Sequence, residues 1–375
     1  MKRFLKRLFR WTLILIGLVL TAGFVFLQCS PQFGGSATDA QRQEYAKTGH
    51  YADGIFLNDE VIEMEINCHS VTQMVKELIN PHPNVAPERN ITVLKIPAPF
   101  FREAPDSVNT VTWFGHSTFL IQLEGKTILL DPVFGQYAAP LPFGRKRFHK
   151  EMPLDLEELP ELDLVVISHD HYDHLEYKSI KALRAKTKQF WVPLGVGNHL
   201  RAWDVPETQI REFDWWQEGQ YEDLTVALTP SRHMSGRGLT DQSATLWGSW
   251  VFLGTNTRIY FSGDGGYGKH FLEIGQKYGP FDIGLMECGQ YNKLWADVHM
   301  MPEQTVQAAS DIRADLVVPI HWAAFALAAH SWTDPIERVV QEAARVQLPL
   351  ATPQIGEPVV VGASTYPDSH WWEVY

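Results

Sequence analysis

At 375 residues, 45% of them hydrophobic and 20% charged, the chain has a globular composition and the length to bury a large core in one to three domains. Its three cysteines, Cys29, Cys68 and Cys288, exclude a disulfide framework. The formal net charge of −12 understates the acidity of the body, because Lys2, Arg3, Lys6, Arg7 and Arg10 crowd one end, and a body of that sign excludes a general nucleic-acid partner by repelling phosphate backbones.

The basic end is followed by an uncharged stretch, Trp11–Leu27. As a helix it spans about 26 Å at ~1.5 Å per residue, close to the ~30 Å hydrocarbon core of a bilayer. Leu27-Gln28-Cys29 lacks the small residues of a cleavage site, and Gly35-Ser36-Ala37 lies well downstream. Residues 1–29 therefore read as a retained membrane anchor, with a cleaved signal as the alternative. Flanking bases stay cytoplasmic, which places the body outside the cytoplasm, on the periplasmic side if the cell is bacterial. Residues 30–104 contain Gly34-Gly35-Ser36, Pro81-His82-Pro83 and Pro97-Ala98-Pro99 and read as a linker and N-terminal extension, with a helix expected within Val71–Ile79.

Residues 105–375 read as the main domain. Trp113–Leu123 and Thr127–Val133 are expected to pair as strands about the Glu124-Gly125-Lys126 turn. Further strands are predicted at Leu162–Ser168, Phe190–Pro193, Leu224–Thr229, Ser249–Gly254, Arg258–Ser262 and Leu316–Ile320. Helices are predicted at Leu175–Lys186, His270–Tyr278, Pro302–Arg313 and Pro335–Val346. The order predicts an α/β (α+β) fold, two packed sheets flanked by helices. No feature specifies an oligomeric state.

The chemistry is concentrated in His169-Asp170-His171-Tyr172-Asp173-His174, directly after the apolar run ending at Ser168. Imidazole and carboxylate are ligands for zinc and similar divalent ions, and so many polar groups behind a core strand are costly without a partner. His169 and His171 can face one metal, Asp173 and His174 a second. Three more candidates end apolar runs: His233 after Val226–Arg232, Asp264 after Ile259–Gly263, and His321 after Leu316–Ile320. Strand ends hold side chains rigidly while the following loops shape a pocket.

This ordered set resembles the metallo-β-lactamase-fold hydrolases over roughly residues 105–345. Trp113-Phe114-Gly115-His116-Ser117, Leu130-Asp131-Pro132, Leu246-Trp247-Gly248-Ser249, His299-Met300-Met301-Pro302-Glu303 and His321-Trp322 resemble the branch of N-acyl-phosphatidylethanolamine-hydrolysing phospholipase D. The resemblance implies an αββα sandwich with two zinc ions per chain. His169, His171 and His233 would hold one and Asp173, His174 and His321 the other, with Asp264 bridging them. It also implies a phospholipid substrate, split to N-acylethanolamine and phosphatidic acid, and fits a membrane-tethered enzyme. Asp131 is expected to orient a liganding imidazole, so Asp131, Asp173 and Asp264 form the expected catalytic carboxylates. Tyr172, His299, Gln290 and His116 are the expected substrate contacts; for Trp247, Trp250, Trp295 and Trp322, scattered along the chain, core packing is the expected role and an acyl groove the alternative. Glu287-Cys288 departs from the apolar pair expected before Gln290-Tyr291. The alternatives are a hydrolase of the same fold acting on a soluble lactone or phosphodiester, and a tethered zinc-binding protein without turnover.

Overall fold

A computed structural model describes residues 2–63, 72, 75–77, 79, 80, 82–97, 99–103, 105–141, 144 and 146–375; of the helix expected within Val71–Ile79, the described residues 72, 75–77 and 79 are helical, and the others lie outside the described residues. The basic and apolar N-terminal residues form one helix, Lys2–Cys29, whose Arg3–Cys29 portion is long and apolar enough to cross a membrane and is not buried against the body. A small ladder, β1 (Tyr51–Ala52) with β2 (Ile55–Phe56), follows.

Two sheets make the body. The first contains β3 (Thr110–Trp113), β4 (Phe119–Leu123), β5 (Lys126–Leu130), β6 (Leu162–Val166), β7 (Thr187–Pro193) and β8 (Ile210–Phe213). The second contains β9 (Glu218–Tyr221), β10 (Leu224–Thr229), β11 (Ser249–Leu253), β12 (Arg258–Phe261), β13 (Ile283–Glu287) and β14 (Val317–Ile320). With β15 (Pro358–Val360) joining the first, the orders are β15-β3-β4-β5-β6-β7-β8 and β14-β13-β12-β11-β10-β9. The pairs from β5 to β8 and from β12 to β14 are parallel, the others antiparallel.

Side chains alternate between two apolar environments, which is why the strands read as unbroken apolar runs. Ile128, Leu130, Leu164 and Val166 meet Val226, Leu228, Phe252 and Phe261 between the sheets. Leu129, Val165 and Phe190 point the other way, onto Ile180, Leu183 and Leu200 of helices Tyr177–Leu183 and Gly197–Ala202. Val251, Tyr260 and Met286 do the same against Phe271, Ile274 and Ala308 of helices His270–Tyr278 and Pro302–Asp311. The result is the αββα sandwich, with each fully buried aliphatic or aromatic side chain contributing about 1.5–3 kcal/mol.

The expected strand Trp113–Leu123 is instead a hairpin of two strands. Gly115 (φ 93°) and His116 (φ 56°) take left-handed backbone, and Thr118 N donates to the Gly115 carbonyl. That turn brings His116 and Ser117 to the sheet edge where the ligand candidates lie.

The segment after the membrane-length helix is tied to the body. Trp203 Nε1 donates to the Pro31 carbonyl (2.6 Å), Arg237 Nε to the Gln32 carbonyl (2.9 Å), and Gly35 N to His199 Nδ1 (3.1 Å). His199 Nε2 in turn contacts Asp170 Oδ2 at 3.1 Å, inside the His/Asp loop. Gly34 has φ 73°, and a Cβ there would land on the His199 ring, so glycine is required for this contact.

Candidate metal centre

The ends of β6, β10, β12 and β14 converge at one edge of the sandwich, and the loops leaving them carry all seven predicted ligands. The tight approach of the Asp264 loop depends on Gly263 (φ 56°), where a Cβ would press on Ser168. His169 Nε2 lies 2.9 Å from His171 Nδ1, which lies 3.3 Å from His233 Nε2. Two ligands of a tetrahedral zinc site with Zn–N bonds of ~2.1 Å stand about 3.4 Å apart, so this trio has the spacing of a metal-binding face.

The second group adjoins it. His174 Nε2 is 3.5 Å from Asp173 Oδ2 and 3.2 Å from Asp264 Oδ2, and His321 Nδ1 is 3.1 Å from Asp264 Oδ1. Asp264 Oδ2 also lies 3.9 Å from His169 Nε2 and 4.0 Å from His233 Nε2, so this one carboxylate faces both groups. Asp264 Oδ1 and His174 Nε2 are buried without a hydrogen-bond partner. Buried polar atoms left this way are costly unless a cation stands between them, and the donor set of imidazole nitrogens and carboxylate oxygens suits a divalent ion.

The electrostatics agree. Burial, reinforced by neighbouring imidazoles, holds His169, His233 and His321 well below the ordinary histidine range, which keeps them neutral with a lone pair available. Burial pushes the Asp264 carboxyl up to about 7, with His174 pulling it back. At His174 burial opposes the charge, but Asp264, Asp173 and Asp131 override it and hold the ring well above its usual value. Three carboxylates thus concentrate negative potential on one buried spot.

A surrounding set of hydrogen bonds aims the ligands. His174 Nδ1 donates to Asp131 Oδ2 (2.7 Å), and Asp131 also accepts from Ser168 N (2.7 Å) and Ser168 Oγ (2.5 Å). His233 Nδ1 donates to the Val298 carbonyl (2.9 Å). His116 Nε2 contacts Asp173 Oδ2 at 2.8 Å. Asp131 (φ 38°), His116 (φ 56°), Gln290 (φ 62°) and His321 (φ 67°) all have left-handed backbone, a strain of about 1–3 kcal/mol each that clusters at this edge.

A cavity of about 340 Å³ opens onto the cluster, lined by His171, Asp173, His233, Asp264, His299 and His321 with Met234, Trp295, Val298 and Leu327. A larger one of about 780 Å³, between Asn84–Arg89 and the C-terminal Trp372–Tyr375, contains none of the ligand candidates.

Of the expected substrate contacts, His299 and Gln290 line the cavity and two do not. Tyr172 donates its hydroxyl to the Arg237 carbonyl (2.8 Å) beneath the Arg237 guanidinium, and His116 is fully buried behind Asp173. Gln290 spends its amide on the wall: Oε1 accepts from Leu327 N and Ala328 N (2.8 and 2.9 Å), and Nε2 donates to the Phe325 carbonyl. Three of the four tryptophans take the core role expected of scattered tryptophans. Trp247, Trp250 and Trp322 are core side chains whose Nε1 groups donate to Ser231, Ile167 and Pro319 carbonyls, and only Trp295 reaches the cavity.

Sequence reading assigned no role to Glu287. It ends β13, is fully buried, accepts from Gly265 N through Oε2 (2.8 Å), and pairs through Oε1 with His299 Nδ1. Burial holds its carboxyl well above the usual range. The available signal was its position at the end of the apolar run Ile283–Met286, as for the other strand-end candidates.

Two sheets with outer helices and a His/Asp cluster at the strand ends define a metal-dependent hydrolase of the metallo-β-lactamase fold. A beta-lactamase superfamily domain model matches residues 126–322, and the chain belongs to that superfamily. An uncharacterized protein of Mycobacterium tuberculosis is 40% identical over 339 residues, covering 89% of this chain and 90% of the relative. The N-acyl-phosphatidylethanolamine-hydrolyzing phospholipase D 1 of Caenorhabditis elegans is 33% identical over 226 residues, 57% of this chain and 64% of that enzyme. Among solved structures, Igni18, a metallo hydrolase from Ignicoccus hospitalis, superposes with a TM-score of 0.53 at 23% identity, covering 69% of this chain and all of that one, a likeness of fold.

Proposed function

We propose that the chain is a binuclear zinc phosphodiesterase that hydrolyses N-acyl-phosphatidylethanolamine-type phospholipids to N-acylethanolamine and phosphatidic acid. The observation that carries this reading is a His/Asp cluster at the base of a cavity with the apolar walls Met234, Val298 and Leu327, in a chain bearing a membrane-length helix. The partial likeness to the nematode phospholipase supports the substrate class.

His169, His171 and His233 would hold one zinc ion, Asp173, His174 and His321 a second, with Asp264 reaching both. When bound, such a pair supplies an activated water and neutralises charge that develops on the phosphoryl oxygens. The chain's own side chains set the geometry. Asp131 and the Val298 carbonyl take the Nδ1 hydrogens of His174 and His233, which leaves each Nε2 lone pair aimed at the cluster. His116 steadies Asp173 from behind. His299, held at Nδ1, keeps Nε2 for the substrate phosphate. Met234, Val298, Trp295 and Leu327 limit water around the reacting bond.

The experiment is mass spectrometry of products from zinc-loaded, detergent-solubilised protein incubated with N-acyl-phosphatidylethanolamine, with His169→Ala as control. N-acylethanolamine and phosphatidic acid are expected from the intact protein alone. No product from protein verified to hold both zinc ions would sink the lipid reading and move the substrate to a soluble lactone or phosphodiester.

We place the helix Lys2–Cys29 in a bilayer with its basic end in the cytoplasm and the hydrolase body on the other side. Alkaline phosphatase fused after Tyr375 is then expected to be active in a bacterial host. An inactive alkaline phosphatase fusion with an active cytoplasmic reporter at the same point would reverse the orientation.

A further inference from the structure

We propose that Glu287 is a positioning residue that acts through His299, gripping the imidazole at Nδ1 so that Nε2 is presented to the substrate. The inference takes from the proposed function only that the reaction occurs at the His/Asp cluster, and it does not depend on the lipid.

Glu287 is placed to do this rigidly. Its backbone is clamped on both sides: Glu287 N donates to Ser262 Oγ (2.9 Å), and Thr305 Oγ1 donates to the Glu287 carbonyl (2.7 Å). The carboxylate is fully buried, with no lysine or arginine in ion-pair range among the described residues, and its oxygens face Gly265 N, the Met300 backbone N–H and His299 Nδ1. A carboxyl group buried at that cost has to satisfy these donors together.

Among the described residues the His299 ring makes no other hydrogen bond, although Asp264 and His233 lie close enough to share an ion with it. It packs edge-on against His233 (centroids 5.2 Å apart) and stacks on His321 (5.4 Å, planes 15° apart), one ring from each ligand group. Those contacts fix its location but do not choose which nitrogen faces the cavity. The bond to Glu287 makes that choice, and it does so whichever partner carries the shared proton.

Glutamine does not release the ring: with its amide oxygen on Gly265 N, its NH₂ can donate to His299 Nδ1, which then accepts, so only an apolar side chain at 287 removes the grip.

The test is a double-mutant cycle on full-length, metal-loaded protein with Glu287→Ala, His299→Ala and the double variant, and Glu287→Leu as a second route if Ala does not fold. N-acyl-phosphatidylethanolamine and bis(p-nitrophenyl) phosphate, a generic phosphodiester, are the substrates. Each single variant is expected to lower kcat on the order of 10²-fold, with KM changed far less. The double variant should be no slower than His299→Ala, and metal content should equal wild type.

Losses that multiply in the double variant would overturn the proposal, because Glu287 would then act by a route other than His299. So would unchanged kcat in the Glu287 variants. Loss of a metal equivalent would overturn it as well, since Glu287, His299 and His321 are also close enough to share an ion. Turnover of the generic diester but not the lipid would end the substrate reading and leave the cycle decisive. If neither is turned over, a crystal structure of Glu287→Ala decides: a flipped or doubled His299 ring is expected, and an unmoved ring refutes the proposal.

Discussion

Replacing Asp264 with Asn is expected, on the proposed two-metal reading, to reduce bound metal to one equivalent or none and to lower hydrolysis by at least ~10³-fold, about 4 kcal/mol of transition-state stabilisation. The reason lies in how this carboxylate is placed. Its Oδ2 faces His174, His169 and His233 while Oδ1 faces His321, so one side chain supplies negative charge to both ligand groups. Asparagine has nearly the same shape, but it is neutral and turns an NH₂ donor toward one group. That donor would face nitrogens whose lone pairs the site needs free. The fold should survive, because the flanking contacts of the loop are made by backbone: Ser231 Oγ donates to the Asp264 carbonyl, and Gly265 N reaches Glu287. Metal analysis after gel filtration, paired with initial rates, makes the measurement. Two retained equivalents and activity within tenfold of wild type would remove Asp264 from the bridging role.

Asp131→Asn should weaken metal binding by about 10–100-fold without adding or removing a ligand. In the parent, Asp131 Oδ1 accepts from Ser168 N, while Oδ2 accepts from both Ser168 Oγ and His174 Nδ1. An asparagine can keep its oxygen on Ser168 N only by directing its NH₂ at His174. Nδ1 must then accept, the ring hydrogen moves to Nε2, and the nitrogen that faces Asp264 and Asp173 binds a metal only once that hydrogen is displaced. Asp131→Ala should cost similar affinity for a different reason, since it leaves His174 Nδ1 and Ser168 N unpaired in the interior. Competition with a chelator of known affinity measures both variants, with thermal denaturation to confirm that they fold. Wild-type affinity in Asp131→Asn would show that the His174 tautomer is set elsewhere.

Much of the sandwich was legible because strands buried on both faces are largely apolar, and β10 and helix His270–Tyr278 appear at the residues where their patterns begin and end. The expected strand Trp113–Leu123 failed for a local reason. Phe114 is as apolar as its neighbours, and the turn is made by left-handed backbone at Gly115 and His116, which hydrophobic periodicity does not register. Strands β8 and β9 were missed because Ile210–Phe213 and Glu218–Tyr221 carry polar residues among few apolar ones, as strands near a sheet edge can.

The sequence by itself determined the chemistry available to this protein. Three histidines and two aspartates in six residues, with His233, Asp264 and His321 each at the end of an apolar run, announce a metal-binding edge because ligand identity belongs to the side chain. What only the tertiary structure decided is which polar groups face the cavity and which stand behind the ligands. His116 and Asp173 are 57 residues apart, and their contact depends on the β3–β4 hairpin meeting the loop after β6. Tyr172, although inside the ligand motif, turns away to Arg237, whereas Glu287, outside every motif, closes on His299. Of the four tryptophans with two possible roles, Trp247, Trp250 and Trp322 fill the core and Trp295 reaches the cavity. Orientation of this kind comes from packing between elements distant in the chain, and a one-dimensional pattern records the residues that meet there but not the direction each one faces.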